Sequence, residues 1–225
     1  MEKYTYLFLM LGSVLFPLIF SFEKQIRFVS KWKYMLIASI LPAAFFIVWD
    51  ILFTRDGVWW FSDQYTSGFR MAGLPIEEWS FFFIVPFCSV FIYEVVRFYL
   101  PQLPFTKTTH FFHGILLVFS VVMMFIYRQQ AYTFYNFLFT ALTILISYLI
   151  PAFSKYRTHF TLAWLVGIVP MMIVNGILTS FPVVSYLPSE NSGIRIYTIP
   201  FEDFFYYFVL LIMNIMIYES IQKKK

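Results

Sequence analysis

Seven apolar runs, at residues 4–20, 34–53, 76–100, 111–127, 132–153, 160–181 and 201–218, are each long enough for a helix to cross a hydrocarbon layer of about 30 Å. In lipid every backbone polar group needs an internal partner, so the runs are predicted to be helices. The expected fold class is an all-α integral membrane protein with seven transmembrane helices. Composition agrees: 60% hydrophobic and 12% charged residues leave too much apolar surface for a water-soluble globule of 225 residues. The same figures exclude disorder and a collagen-like fibre. A single cysteine, Cys88, excludes a disulfide framework and a Cys-based metal site. The first run carries one Lys and no clear small-residue cleavage site, so it is expected to stay as a helix.

Seven spans put the termini on opposite faces. The C-terminal face collects Lys24, Arg27, Lys31, Lys33, Arg97, Lys107, Lys155, Arg157 and Lys223, Lys224 and Lys225; the other collects only Lys3, Arg55, Arg70, Arg128 and Arg195. The positive-inside rule then predicts a cytoplasmic C-terminus and an outer N-terminus. The C-terminal lysines read as a topology anchor, and no nucleic-acid partner is expected. Acids run the other way. Nine of the twelve (Glu2, Asp50, Asp56, Asp63, Glu77, Glu78, Glu190, Glu202 and Asp203) fall on the N-terminal face.

A shift of 125 positions superposes two halves without a gap. Pro75-Ile76-Glu77-Glu78-Trp79 falls on Pro200-Phe201-Glu202-Asp203-Phe204, and Ile92-Tyr93-Glu94 on Ile217-Tyr218-Glu219. Asp50, Thr54 and Val58 meet Asn175, Thr179 and Val183. The expected organisation is a three-helix repeat at 1–100, a connector with the fourth span at 101–128 and a second repeat at 129–225. One connecting span makes the repeats parallel, so both carboxylate motifs open helices on the same face. Inverted repeats are the commoner transporter signature, which weighs modestly against transport.

Proline suits the first helical position, and carboxylates directly after it meet the positive end of the helix dipole. Glu77, Glu78, Glu202 and Asp203 could therefore be plain helix caps. Two copies at the edge of hydrocarbon, where ionisable groups are costly, favour function. The aromatic runs that follow, with Phe81 and Phe82 in one half and Tyr206 and Tyr207 in the other, can stabilise a cation or line a substrate, although membrane packing explains most of the 31 Phe residues. Asp50, Asn175 and Arg195 are placed to orient or tune the carboxylates. Glu94 and Glu219 lie some 17 residues further on, about 25 Å along a helix, and are read as structural or headgroup-level residues of the inner face. His110, His113 and His159 are expected to be interfacial and form no metal set. No G-x-G-x-x-G, P-loop, D-D-x-x-D or serine elbow is present, so no cofactor is expected.

Trp49-Asp50, Thr54, Gly57-Val58-Trp59, Leu74-Pro75-Ile76-Glu77-Glu78 and Phe91-Ile92-Tyr93-Glu94 resemble the first half of the heterodimeric-type lycopene cyclases. Asn175, Thr179, the stretch from Gly193 to Asp203, and Tyr218-Glu219 resemble the second half. Over nearly the whole chain the sequence is similar to the fused, single-chain bacterial form. The resemblance implies a lycopene beta-cyclase of carotenoid biosynthesis, an intramolecular lyase or isomerase. It would close the linear ψ-ends of lycopene, or a related linear carotene, into β-rings without net redox change, giving γ-carotene or β-carotene. It implies the lipid bilayer as its medium and other carotenoid enzymes as partners. On this reading Glu77 and Glu202 are the principal catalytic carboxylates, with Glu78 and Asp203 tuning or sharing their protons. Three other readings stay open on the residues alone: an end-group hydratase, a non-catalytic carotenoid carrier or scaffold, and a proton-coupled transporter.

Overall fold

The computed structural model describes residues 2–222, so the C-terminal lysines 223–225 lie outside the described residues. Seven helices are long and apolar enough to cross a membrane, as the hydropathy pattern predicts. They are α1 (Thr5–Phe20), α2 (Trp32–Arg55), α3 (Ile76–Tyr99), α4 (Thr106–Ile126), α5 (Ala131–Leu149), α7 (Arg157–Ser180) and α8 (Glu202–Gln222), with a single turn, α6 (Pro151–Ser154), before α7. Proline marks several starts: Pro75 immediately precedes α3, and Pro151 opens α6. Pro17, Pro42, Pro86 and Pro170 lie inside helices, a placement that neighbouring helices make tolerable in lipid.

The two long loops, after α2 and after α7, hold short strands that an all-helical expectation omits. These are β1 (Trp59–Phe61), β2 (Arg70–Met71) and β3 (Leu74–Pro75) in the first loop, and β4 (Val184–Tyr186), β5 (Arg195–Ile196) and β6 (Ile199–Pro200) in the second. β2 and β3 form a hairpin through Ala72 and Gly73, both at positive φ (52° and 85°), the backbone that a primed two-residue turn requires. β5 and β6 repeat this around Tyr197 at φ 60°.

β1 and β4 pair antiparallel with Trp60 opposite Ser185 and Trp59 opposite Tyr186. Trp60 and Ser185 are themselves 125 residues apart, so a local two-fold axis passes between them. The helices obey the same relation. α2 packs on α8 and α7 on α3, so each repeat's second helix crosses to the other repeat's third. α8 is the most enclosed span.

At the end of the bundle away from these loops the exchange repeats in side chains. Tyr93 donates to Glu219 Oε1 (2.8 Å), and Tyr218 donates to Glu94 Oε1 (2.7 Å). Arg97 Nη1 reaches both carboxylates, at 2.6 Å to Glu219 and 3.2 Å to Glu94, and Lys31 also pairs with Glu94. Both glutamates are buried. Sharing one guanidinium between them offsets part of the cost of removing two carboxylates from water.

The histidines differ among themselves. His110 is exposed and meets Tyr148. His159 contacts the Leu100 carbonyl at 2.9 Å, tying α7 to the end of α3. His113, expected at the interface, is fully buried and pairs with Thr161 at 2.9 Å between α4 and α7.

Candidate active site

Neighbouring residues on a helix point about 100° apart, and this separates the paired carboxylates at the starts of α3 and α8. The first of each pair turns back to its own loop. Glu77 Oε1 accepts the Ser67 amide at 2.7 Å. Glu202 Oε1 accepts the Ser192 amide at 2.7 Å and the Thr133 hydroxyl at 2.6 Å. Ser67 and Ser192 are again 125 apart. The Oε2 atoms of Glu77 and Glu202 are buried without a partner among the described residues. These two carboxylates fasten the strand-bearing loops to the helix starts.

The second of each pair turns inward. Glu78 and Asp203 line a chamber of about 60 Å³ together with Asp50 and Asn175 from the outer ends of α2 and α7. Glu78 Oε2 accepts Tyr6 at 2.7 Å, and Asp50 Oδ1 accepts Tyr206 at 2.8 Å. Asp203 accepts Tyr132 at 2.5 Å, Tyr186 at 3.1 Å and the Asn175 amide at 3.1 Å. Trp59, Phe61 and Phe81 complete the wall. Its rings pack on one another, with Tyr132 stacked on Tyr186 at 5.6 Å between centroids and Trp59 edge-on to Tyr132 at 5.1 Å.

The two halves of the chamber are related by the repeat but are not identical. Asp50 and Asn175 are equivalent positions, and so are Glu78 and Asp203. Asp50 and Glu78 both line the chamber, and each accepts from a tyrosine, Tyr206 and Tyr6 respectively. Asn175 instead offers its N–H to Asp203, which therefore accepts from three donors. The first half thus brings two carboxyl groups to the chamber, and the second surrounds one with donors. Tyr186, in the loop above the spans, supports this: loss of water around it and the Asp203 carboxylate beside it push its hydroxyl well above the usual phenol range, which keeps it a donor.

A family model described as lycopene cyclase matches residues 3–96 and 129–221, which include every chamber residue named above. The chain belongs to the lycopene cyclase family. Between the matched segments lies α4. Two similar proteins, each named lycopene beta-cyclase and from two strains of Halobacterium salinarum, are 43% identical over 47 residues, 21% of this chain and 20% of theirs. The matched stretch thus spans about a fifth of the length of these curated relatives. No solved structure matches the chain.

In this lycopene cyclase homologue, Glu78, Asp203, Asp50, Asn175, Phe81 and Tyr206 of the residues singled out from sequence meet in one chamber. Glu77 and Glu202 lie behind it. Arg195 is exposed, donates to the Thr198 carbonyl at 2.6 Å and sits 6.0 Å over the Tyr186 ring, so it braces the β5–β6 turn and the chamber's lid of tyrosine. Phe82 is fully buried against Phe46, 5.8 Å away, and is not part of the chamber wall. Tyr207 lies below the chamber, where its hydroxyl donates to Ser89 at 3.1 Å. Among the described residues no group of three or more His, Cys, Asp or Glu side chains is arranged to hold a metal ion.

Sequence reasoning missed Tyr6, Tyr132, Tyr186, Trp59 and Phe61. A signal existed for some of them. Phe61 and Tyr186 are 125 apart, and Tyr6 and Tyr132 are 126 apart near the starts of the first helices. That one-residue slip hid the tyrosine pair from an ungapped comparison.

Gly167 explains how Tyr207 reaches Ser89. A Cβ at position 167 would strike the Tyr207 hydroxyl. Gly167→Ala is therefore expected to displace the ring, break the bond to Ser89 and destabilise the protein by about 1–3 kcal/mol through overpacking. Thermal unfolding in detergent beside Gly12→Ala, whose Cβ meets nothing within 4 Å, checks this.

Proposed function

We propose that this protein is a lycopene beta-cyclase that closes a linear ψ-end by proton transfer alone. The observation that carries the reading is a chamber in which a carboxyl pair, Asp50 and Glu78, shares aromatic walls with a triply hydrogen-bonded third carboxylate, Asp203. The pair gives its proton to C2 of the ψ-end, which converts the C1–C2 double bond into a cation at C1. The C5–C6 double bond supplies its electrons to form the C1–C6 bond and moves the charge to C5. Asp203 removes the C6 proton, and the released electrons form the ring's C5–C6 double bond. One proton enters and one leaves, so the carbon skeleton is isomerised without oxidation. The faces of Trp59, Phe81 and Tyr206 surround the moving charge, where ring quadrupoles are worth most once water is excluded. Glu77 and Glu202, the principal catalytic carboxylates that the family resemblance implies, are positioning residues on this reading.

The test is pigment chromatography from a lycopene-accumulating bacterial strain that expresses the gene. Lycopene should decline as monocyclic or bicyclic products appear. Unchanged lycopene beside folded protein would overturn the reading, and hydroxylated ends in place of rings would replace it with a hydratase.

The same proposal places the carboxylate face outside the bacterial inner membrane and the C-terminus in the cytoplasm, because basic residues concentrate at the inner ends of the spans. A reporter fused after Lys225 should behave as cytoplasmic; periplasmic activity would reverse the orientation.

A further inference from the structure

The chamber alone is too small for the end of a polyene. It shares Phe81, Asn175, Asp203 and Tyr206 with a second, apolar cavity of about 840 Å³. This groove descends between α1, α3, α7 and α8, reaching from Phe81 to Ile92 along α3, about 17 Å at 1.5 Å per residue. Its rims are Phe8 and Phe16 on α1 and Val166, Val169 and Ile173 on α7, all exposed on the surface that faces hydrocarbon. The groove thus opens sideways to lipid and ends beside the carboxylates.

The repeat predicts a second such groove, between α2 and α5, and there the space is filled. Pro170, Met171 and Val174 on the open side correspond at 125 residues to Phe45, Phe46 and Trp49. With the 126-residue relation of the first helices, set by Tyr6 and Tyr132, Ser13 corresponds to Phe139. On the closed side Phe139 packs against Phe45 at 4.9 Å and Trp49 at 4.8 Å, and Phe46 against Tyr206 at 4.7 Å. On the open side Gly12 and Ser13 line the groove, and nothing lies within 4 Å of a Cβ built at Gly12. Glycine weakens a helix interior, and no neighbouring helix approaches closely enough here to need it. What it leaves is width for a ligand.

We infer that the α1–α7 groove is the binding site and lateral entrance for a linear polyene, which the protein takes one end at a time. The inference rests on the cyclisation reading above. The occupant follows from the walls: apolar along the length, polar only where the groove meets the chamber, and shorter than the hydrocarbon layer, so the remainder of a long polyene continues into lipid. A protein with two open grooves could hold both halves of a symmetric substrate's chemistry in parallel; one groove makes each ring a separate binding event.

The probe is lycopene itself. Glu78→Gln protein purified in mild detergent from lycopene-accumulating cells should retain lycopene, read from its visible absorbance per mole of protein. Adding Gly12→Phe, which fills the groove, or Ser13→Phe or Val174→Trp, which copy the closed side onto one wall or the other, should lower bound pigment at least about tenfold. Leu36→Phe, on an exposed face of α2, should leave it unchanged. In the otherwise native chain the same three changes should lower ring formation by a similar factor, and Gly12→Ala should not. Circular dichroism and elution volume identify any variant that fails to fold, and three variants on two helices leave the comparison standing. Native protein that cyclises lycopene while the filled variants keep both pigment and turnover would overturn the groove. Native protein that neither converts nor retains lycopene would overturn the cyclisation reading instead.

Discussion

Glu78→Gln and Asp203→Asn are each expected to slow ring formation by about 10²–10⁴-fold, the range for removing a positioned proton donor or acceptor. Both changes keep the side chain's size and its ability to accept from Tyr6, or from Tyr132 and Tyr186, so the chamber should persist. Asp50→Asn should fall in the same range. It would make the first half resemble the second, where Asn175 stands, and would leave Glu78 as the only carboxyl group of the first half in the chamber. Glu77→Gln and Glu202→Gln should behave differently. Each weakens a charge-assisted bond to a loop amide, at about 1–3 kcal/mol of stability, while turnover per folded molecule stays within about tenfold, below the acid–base range. Initial rates in membranes at equal protein, followed by chromatography, separate the two classes. Abolished turnover in Glu77→Gln and Glu202→Gln with normal turnover in Glu78→Gln would exchange the roles assigned here.

Arg97→Ala should be the most damaging change at the opposite end of the bundle. It would leave Glu94 and Glu219 buried, with Lys31 on one of them and no cation on the other. Removing one partner of a buried ion pair typically costs about 3–5 kcal/mol, because a carboxylate stays in a dry site uncompensated. Tyr93→Phe or Tyr218→Phe, which each delete a single hydrogen bond, should cost nearer 1–2 kcal/mol. Denaturant unfolding of the full chain in detergent measures the difference. A triple variant, Arg97→Met with Glu94→Gln and Glu219→Gln, should recover most of the loss, since no charge then remains buried. An Arg97→Ala protein as stable as the native one would show that this cluster does not hold the repeats together.

The seven spans, their order and the duplicated carboxylate motifs were legible in the chain because each is a local property. A span needs only a run of apolar residues longer than the hydrocarbon is thick, and a duplication needs only a register kept over 125 positions. Family resemblance followed from the same motifs. The contacts of Tyr6 and Tyr132 with the carboxylates were not legible. Tyr6 lies 72 residues from Glu78 and Tyr132 lies 71 from Asp203, separations that no helical or strand period connects. Their roles depend on which helices pack together.

The difference between Glu77 and Glu78, and between Glu202 and Asp203, belongs wholly to the tertiary structure. Adjacent carboxylates at a helix start are alike in sequence; the 100° turn per residue sends one to a loop amide and the other into the chamber. The same holds for the groove. Gly12, Ser13, Val174 and Phe139 are unremarkable members of apolar helices until packing shows that two related walls enclose space on one side and fill it on the other. Sequence determined that the chain lives in a membrane as two like halves with acids on one face, because lipid and the backbone leave few alternatives. Folding decided which acids meet, because a chamber is made from side chains that only the crossing of α2 with α8 and α7 with α3 brings together.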